Sequence, residues 1–303
     1  MIPEPPKPVT RTPGFVYVPP WHVQGVSVAG ESTTVQVPEL GVSFDLGECL
    51  PATLASPVVA LSHGHIDHVA GLASYVMQRG RQGRGGSTIV CHKGIVDVIR
   101  DVMAAWTRLE GSEPTFKLVG LEHEATLRLD NNHVLRAFET QHTVPSLGYV
   151  VAERRKRLKR QYRNLPHDRL EELQNEGVAI TERRDRPLVC YMGDTDWGPH
   201  FQRSDVQAAR VLVTECSFLK AAHRGYARQG KHLHLDHIVS LLELVRAEAV
   251  VLTHLPRKLD IDQARRLVDY AVPARHRDRV FLLMDHERNL ARYRALCAQG
   301  EGV

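Results

Sequence analysis

An α/β fold is the class this sequence predicts, on three observations. Short apolar runs at 57–61, 187–192, 211–214 and 249–253 have the length and β-branched content of buried strands. Stretches with helical spacing separate them. Five strand ends deliver a histidine or an acid, and strand ends are where open α/β sheets carry their sites. A length of 303 residues with 43% apolar content allows a sizeable core in one unit.

Composition narrows the class. A net charge of +4 is too mild to name a partner. No apolar stretch approaches the length of a membrane span, so no membrane association is expected. Residues 1–22 open with Met1-Ile2-Pro3-Glu4-Pro5-Pro6 and lack the charged and apolar regions of a signal peptide. They read as a flexible lead-in to a single domain over 23–303. The five cysteines (Cys49, Cys91, Cys190, Cys216, Cys297) form no Cys-x-x-Cys pair, which argues for a reducing, cytoplasmic setting.

Residues 26–37 and 41–46 alternate apolar with small or polar side chains, the pattern of antiparallel strands. The turn Phe44-Asp45-Leu46-Gly47 sets Asp45 near the sheet edge. There it either holds a ligand imidazole or simply forms the turn. The strand at 57–61 runs straight into Leu61-Ser62-His63-Gly64-His65-Ile66-Asp67-His68. His63 and His65 leave the strand on a loop that Gly64 permits to bend. Asp67 and His68 open a helix, which Asp67 could also cap. Three imidazoles and a carboxylate suit Zn²⁺ and similar divalent ions. Ligands so close in sequence cannot easily surround one tetrahedral ion, so two metals sharing the motif are expected.

Helical spacing continues over 69–79, followed by a basic glycine-rich loop at 80–86 and a short strand at 88–91. An amphipathic helix is predicted over 93–109, with Trp106 in the core. Strands at 116–120 and 133–139 follow, the second leading to His142, again a histidine just past a strand end. Composition then breaks. Arg154, Arg155, Lys156, Arg157, Lys159, Arg160 and Arg163 set seven cations against Glu153, more positive charge than the +4 of the whole chain. Such a cluster reads as a contact surface for RNA phosphates, with Tyr162 able to stack on a base. It belongs to an arm expected at roughly 152–186; a solvated charged face is the plainer alternative. The strand at 187–192 ends in Gly193-Asp194, suited to bridge two metals, and that at 211–214 ends in Glu215. Lys231-His232-Leu233-His234-Leu235-Asp236-His237 opens a helix running to Val245, and the strand at 249–253 ends at His254.

Several of these segments fall in a familiar order: Leu61-Ser62-His63 through His68, Tyr149-Val150-Val151, Gly177-Val178-Ala179-Ile180-Thr181 and Gly193-Asp194-Thr195, then Glu215-Cys216-Ser217-Phe218, His232-Leu233-His234-Leu235 and Leu252-Thr253-His254. The series resembles the metallo-β-lactamase superfamily and, within it, the tRNase Z group of tRNA 3′-endonucleases in its short, plant-like form. The likeness runs roughly from Val23 to Leu283. It implies a four-layer αββα sandwich with the site at one edge of the two sheets. It implies two Zn²⁺, with Mn²⁺ or Fe²⁺ as substitutes: one on His63, His65 and His142, the other on Asp67, His68 and His254, with Asp194 between them. Glu215 and His234 match the family's acid–histidine pair, with His232 as the alternative two residues earlier. A precursor tRNA substrate and a homodimer are implied as well. After its last histidine ligand the family usually reads Phe-Ser-x-Arg-Tyr; here the residues are Leu255-Pro256-Arg257-Lys258.

On this reading the metals ionise a shared water near neutral pH for attack on a phosphodiester. Asp67, Glu215 and His234 form the catalytic set, with His234, oriented by Glu215, protonating the leaving oxygen. The alternative is a hydrolase of small phosphodiesters, sulfate esters or thioesters on the same scaffold.

Overall fold

A computed structural model describes residues 12–300. Its first sheet holds β1 (Gly14–Val18), β2 (Trp21–Ala29), β3 (Ser32–Val37), β4 (Val42–Phe44), β5 (Val58–Ala60), β6 (Ser87–His92) and β7 (Phe116–Leu121), in that spatial order. The first four pair antiparallel, and β4 to β7 pair parallel. The second sheet follows the order β8 (Thr126–Arg128), β9 (His133–Glu139), β10 (Leu147–Leu158), β11 (Thr181–Tyr191), β12 (Val211–Glu215) and β13 (Ala249–Thr253). Past β13, the two-residue β14 (Leu255–Pro256) lies parallel to β2 of the first sheet. The strand β15 (Val280–Leu282) then completes the second sheet beside β13. Helices α1 (Ile66–Val69), α2 (Leu72–Arg81) and α3 (Val96–Glu110) belong to the first half of the chain. The second half supplies α4 (His167–Asn175), α5 (Ser204–Gln207), α6 (Arg224–Gly230), α7 (Leu235–Leu244), α8 (Ile261–Ala271) and α9 (His286–Ala298). No helix among the described residues is long and apolar enough to cross a membrane.

Period-two alternation assigns each strand side chain to a layer. Leu135, Ala137, Tyr149 and Val151 face the first sheet and meet Val35, Val37 and Phe44. Their neighbours Val134, Phe138, Val150 and Ala152 face outward onto Leu235, Ile238 and Leu241 of α7 and Ala264 and Val268 of α8. On the far side, Val59, Leu61, Ile89 and Cys91 pack against Tyr75 and Val76 of α2 and Ile99 and Met103 of α3. Three apolar interfaces between four layers make the αββα sandwich that the resemblance implies. Tyr149 fastens the two sheets near the site: its ring is fully buried and its hydroxyl donates to Leu61 O at 2.6 Å. A buried phenol of this kind adds apolar area and still satisfies its polar tip.

Two expectations are corrected. The chain enters the fold earlier than a lead-in over 1–22 allows. Residues 1–11 lie outside the described residues, but Val16 and Val18 are buried as β1 pairs with β2, and Phe15 and Tyr17 meet Tyr293 of α9 edge-on. Prolines on both sides of this strand hide its alternation. Trp106, expected in the core, lies on the outer face of α3 and is 46% exposed; Ile99 and Met103 take the inward positions.

Beyond Ala152, β10 and β11 leave the sheet as a hairpin arm, pairing Arg154 with Asp185, Arg155 with Arg184 and Lys156 with Arg183. A turn at Arg160–Tyr162 and α4 close it. The start of β10 is near the histidine loop, since Leu147 N–H donates to Ser62 O at 2.8 Å. Because β10 runs away from that edge, Arg154 stands roughly 23 Å farther along, at about 3.3 Å per residue. The arm therefore projects from the opposite end of the second sheet.

Candidate metal centre

The carboxyl ends of β5, β9, β11, β12 and β13 share one edge, and the chain places its histidines and acids just past them. His63, His65 and His142 form one group and Asp67, His68 and His254 another, with the ligand atoms of each within 4.8 Å of one another. Asp194 stands between the groups. Its Oδ2 is 3.4 Å from His68 Nε2, 3.4 Å from His254 Nε2 and 4.0 Å from His63 Nε2. Asp194 gets this close because Gly193 precedes it at φ +61°, where a Cβ would stand 2.5 Å from Ser62 Cβ. Gly64 has no such duty: its φ is ordinary, and a Cβ there would meet only Ile95 Cδ1 at 3.8 Å. Asp67 does not cap α1 but lies in its first turn, where Oδ2 accepts from Gly30 N–H at 3.0 Å.

Protein partners decide which ring nitrogen faces the pocket. Nδ1 of His63 meets Ser62 Oγ at 2.9 Å, and that of His68 meets Asp45 Oδ2 at 2.8 Å. Nδ1 of His254 meets Ser217 Oγ at 2.7 Å, and that of His142 meets Lys231 O at 3.2 Å. All four rings therefore aim Nε2 inward, as metal-ligating histidines do when a second partner holds the other nitrogen. His65 is the exception, presenting Nδ1 to His63 Nε2 at 2.9 Å and to His142 Nε2 at 3.3 Å. Ser62, Ser217 and Lys231 were not singled out in the sequence; their signal is only that each adjoins or lies close to a site residue. Asp45 is the partner of an imidazole, and its turn is part of that job. Fully buried at φ +53°, it also accepts from Ser62 N–H at 2.6 Å, Ser62 Oγ at 2.7 Å and Tyr191 Oη at 2.6 Å. His254 is likewise left-handed, at φ +54°, with its N–H donated to Ser27 Oγ. Backbone strain of this kind gathers at functional sites.

The donor set fits divalent cations. Burial, with His68 beside it, pushes His63 down to about 2, and burial also lowers His65 and His142, so these rings are neutral and able to bind metal. Burial alone would raise the carboxylates. His254 and His68 outweigh it, holding Asp67 at about 2 and Asp194 well below the usual range. His68 shows the converse: burial disfavours its charge, yet Asp194 and Asp45 pull its proton affinity up. Its Nε2 is nonetheless buried without a hydrogen-bond partner, 3.6 Å from Asp67 Oδ2. Donors around one tetrahedral ion with bonds near 2.0–2.1 Å stand about 3.3 Å apart, within the spread found here. An orphaned ring nitrogen among ionised carboxylates is an open ligand position.

Beside this cluster lies an acid–histidine pair, and its histidine is His232, not His234. His232 Nδ1 is 2.9 Å from Glu215 Oε1. Burial opposes its charge, but Glu215 and Asp194 raise it to about 9. Glu215 is fixed by Thr195 N–H at 2.8 Å and by the Ser217 hydroxyl, which ties it to His254. His234 points elsewhere: its Nδ1 accepts from Asp236 N–H as the cap of α7, and its Nε2 lies 3.1 Å from Lys220 O. The expectation that Glu215 orients His234 is therefore corrected in favour of the alternative two residues earlier.

The basic segment forms a separate surface on the arm. Arg154, Arg155 and Lys156 join Arg128 and Arg183 around a hollow of about 330 Å³ with Asn131 and Asn132. Arg157, Lys159, Arg160 and Arg163 continue along the arm, away from the metal cluster.

Two facing sheets with a histidine- and aspartate-lined pocket at their shared edge define the hydrolase class of the metallo-β-lactamase fold. A family model described as a β-lactamase superfamily domain matches residues 51–255. The chloroplastic tRNase Z TRZ2 of Arabidopsis thaliana is 30% identical over 251 residues, 82% of this chain and 71% of its own. tRNase Z TRZ1 of the same plant is 30% identical over 266 residues, 87% of this chain and 95% of its own. Human tRNase Z, short form, shares the fold at a TM-score of 0.54 and 18% identity, covering 77% of this chain and 92% of that chain. The metallo-β-lactamase fold protein YhfI of Bacillus subtilis superposes at 0.56 with 16% identity, covering 82% and 90%. The chain belongs to the tRNase Z family.

Proposed function

We propose that this chain is a zinc-dependent endoribonuclease that removes 3′ extensions from precursor tRNA. The observation that carries the reading is the pair of ligand groups meeting at Asp194, with the His232–Glu215 pair at their side. His63, His65 and His142 would hold one Zn²⁺, Asp67, His68 and His254 the other, and Asp194 both; nitrogen-rich donor sets suit this ion. Bound there, such ions supply Lewis acidity toward a phosphodiester and ionise water near neutral pH. The chain does the rest. Ser62, Asp45, Ser217 and Lys231 fix the ligand rings, so the pocket needs no rearrangement to receive substrate. His232, held by Glu215 through Nδ1, donates a proton from Nε2 to the leaving oxygen.

The arm supports RNA as the substrate. Arg154, Lys156, Arg157 and Arg183 have no ion pair among the described residues, which leaves them for phosphates. A homodimer is supported by the outer face of α3, where Val98, Val102, Trp106 and Leu109 are exposed at successive turns beside Ile66. Five free thiols support a reducing, cytoplasmic setting.

The test is purified protein with a 3′-extended precursor tRNA, followed by mapping of the cut. A single cut at the end of the mature acceptor stem region is expected. Hydrolysis of bis(p-nitrophenyl) phosphate with the precursor left intact would favour the small-ester hydrolase instead.

A further inference from the structure

The turn that leads from α6 into His232 is built against the preference of its sequence. Lys231, just past α6, lies in the left-handed region at φ +54°. Its N–H reaches back to Arg228 O at 3.3 Å, and His232 N–H reaches Ala227 O at 2.9 Å. This pair of bonds closes a helix at a position that usually belongs to glycine, because a Cβ is strained there. We propose that Lys231 is a positioning residue for the metal centre: its ammonium holds His142, and through His142 one of the two metals and not the other. The assignment rests on the dinuclear reading given above.

The grip is reciprocal. Lys231 Nζ donates to His142 O at 3.0 Å, while the His142 ring turns Nδ1 toward Lys231 O at 3.2 Å. A carbonyl can only accept, so this contact puts the ring hydrogen on Nδ1 and leaves the Nε2 lone pair for a cation. One residue thus fixes both the backbone of the ligand and the direction of its ring. The residue before the ligand is held from the other side: Gln141 N–H donates to Thr195 Oγ1 at 3.0 Å, and Gln141 O accepts from Asp196 N–H at 2.7 Å. His142 is therefore suspended between the loop after Asp194 and the end of α6. The second ligand group hangs on other supports, Asp67 on Gly30, His68 on Asp45 and His254 on Ser217.

Stability does not account for a lysine here. Lys231 is exposed, whereas His142 is buried. Water competes for a bond from an exposed ammonium, and ordering the long side chain opposes it, so the net gain is small. The left-handed backbone is a cost without return to the helix end itself. Among the described residues, Asp45, Glu124, Lys231 and His254 are the non-glycine residues at positive φ. Three of these belong to the metal centre: Asp45 behind His68, Lys231 behind His142, and His254 itself. Strain gathers where the surrounding structure puts it to use.

Two variants test the assignment. Lys231→Met keeps the stem and the strained backbone and removes the ammonium, whereas Lys231→Gly removes the ammonium and the strain together. Zn²⁺ binding to the metal-free full chain, read by competition with a chromogenic chelator, should show two steps in the wild type. In both variants one step should weaken about tenfold, with the other unchanged. The urea midpoint of metal-free Lys231→Gly should equal or exceed that of the wild type, since glycine accepts this φ without strain. Weaker binding of one metal by a chain that is no less stable is a result that a purely structural lysine would not give. Unchanged affinity in the variants, a loss shared equally by both steps, or a lower urea midpoint for Lys231→Gly overturns the assignment alone. A wild type that binds fewer than two Zn²⁺ removes the dinuclear reading, and the assignment falls with it.

Discussion

His232 Nδ1 lies 2.9 Å from Glu215 Oε1, while His234, two residues on, turns away to cap α7. The two histidines therefore separate by experiment. On the proposed reading, His232→Ala removes the proton donor and should lower kcat by roughly 10²- to 10⁴-fold, with metal binding retained, because the six end ligands and Asp194 are untouched. His234→Ala removes a helix cap and should cost about 1 kcal/mol of stability, with a far smaller loss of turnover. Steady-state kinetics, elemental analysis and urea unfolding on both variants decide the matter. Equal losses of kcat would refute the assignment of His232.

Asp45 is a buried carboxylate whose acceptors are all used, by Ser62, Tyr191 and His68. Asn is nearly isosteric but turns one oxygen into a donor facing donors. Asp45→Asn should therefore weaken metal binding about 10- to 100-fold through a loosened His68. It should also cost about 1–3 kcal/mol from the unsatisfied groups left behind. Chelator competition and denaturant melts measure the two effects separately. Lost stability with unchanged metal affinity would make Asp45 a purely structural residue.

How far the site could be read from the sequence follows from how each residue is placed. His142, Asp194, Glu215 and His254 each lie just past an apolar strand run, so their arrival at one edge needs only the parallel order of β11, β12 and β13 and the start of β10. His232 against His234 needs more: which ring meets Glu215 depends on where α7 begins and on the pairing of Phe218 with Leu233 and Leu235, and neither is encoded in the His-x-His spacing. Ser62 and Ser217 carry almost no sequence signal, since a serine beside a ligand is common without a hydrogen bond to it. For Trp106, α3 is apolar on more than one face, and spacing alone cannot tell the face that meets α2 from the one left outside. The glycines behaved similarly. Gly193 is required by an approach to Ser62 that only the tertiary structure creates, whereas Gly64, in the more conspicuous motif, is not needed for the bend.

On the arm, Lys156 stands directly across from Arg183 and Arg155 across from Arg184. Arg155 and Arg184 are eased by Glu153 at 2.8 Å and Glu182 at 3.0 Å, but Lys156 and Arg183 have no such neighbour among the described residues. Like charges facing each other across a strand pair destabilise it unless an anion lies between them. Lys156→Ala with Arg183→Ala should thus leave the free protein as stable as before or more so, by up to about 1 kcal/mol. RNA binding should weaken, with the slope of log affinity against log salt falling by about 1 to 2. Binding titrations across a range of salt concentrations supply the slope; if it does not change, this face of the arm does not touch phosphate.

His200 links the loop after Asp194 to acid stability. Its ring is buried against Phe201, with Nε2 3.1 Å from Thr195 Oγ1. Burial, and then the charge of Arg203, lower its pKa from 6.5 to about 4. Between those values the unfolded chain binds a proton that the folded chain does not, so stability falls as the pH drops from near 6.5 toward 4 and is unaffected by this group above that window. One proton contributes at most about 1.4 kcal/mol per pH unit. His200→Gln keeps a polar group beside Thr195 and cannot titrate, so the difference in unfolding free energy between wild type and variant should shift in the variant's favour as the pH falls from 7 to 5. Urea titrations at pH 7, 6 and 5 read that difference directly, cancelling the titration of every other group. Parallel loss of stability in both proteins would mean that the folded chain takes up a proton at His200 as readily as the unfolded chain does.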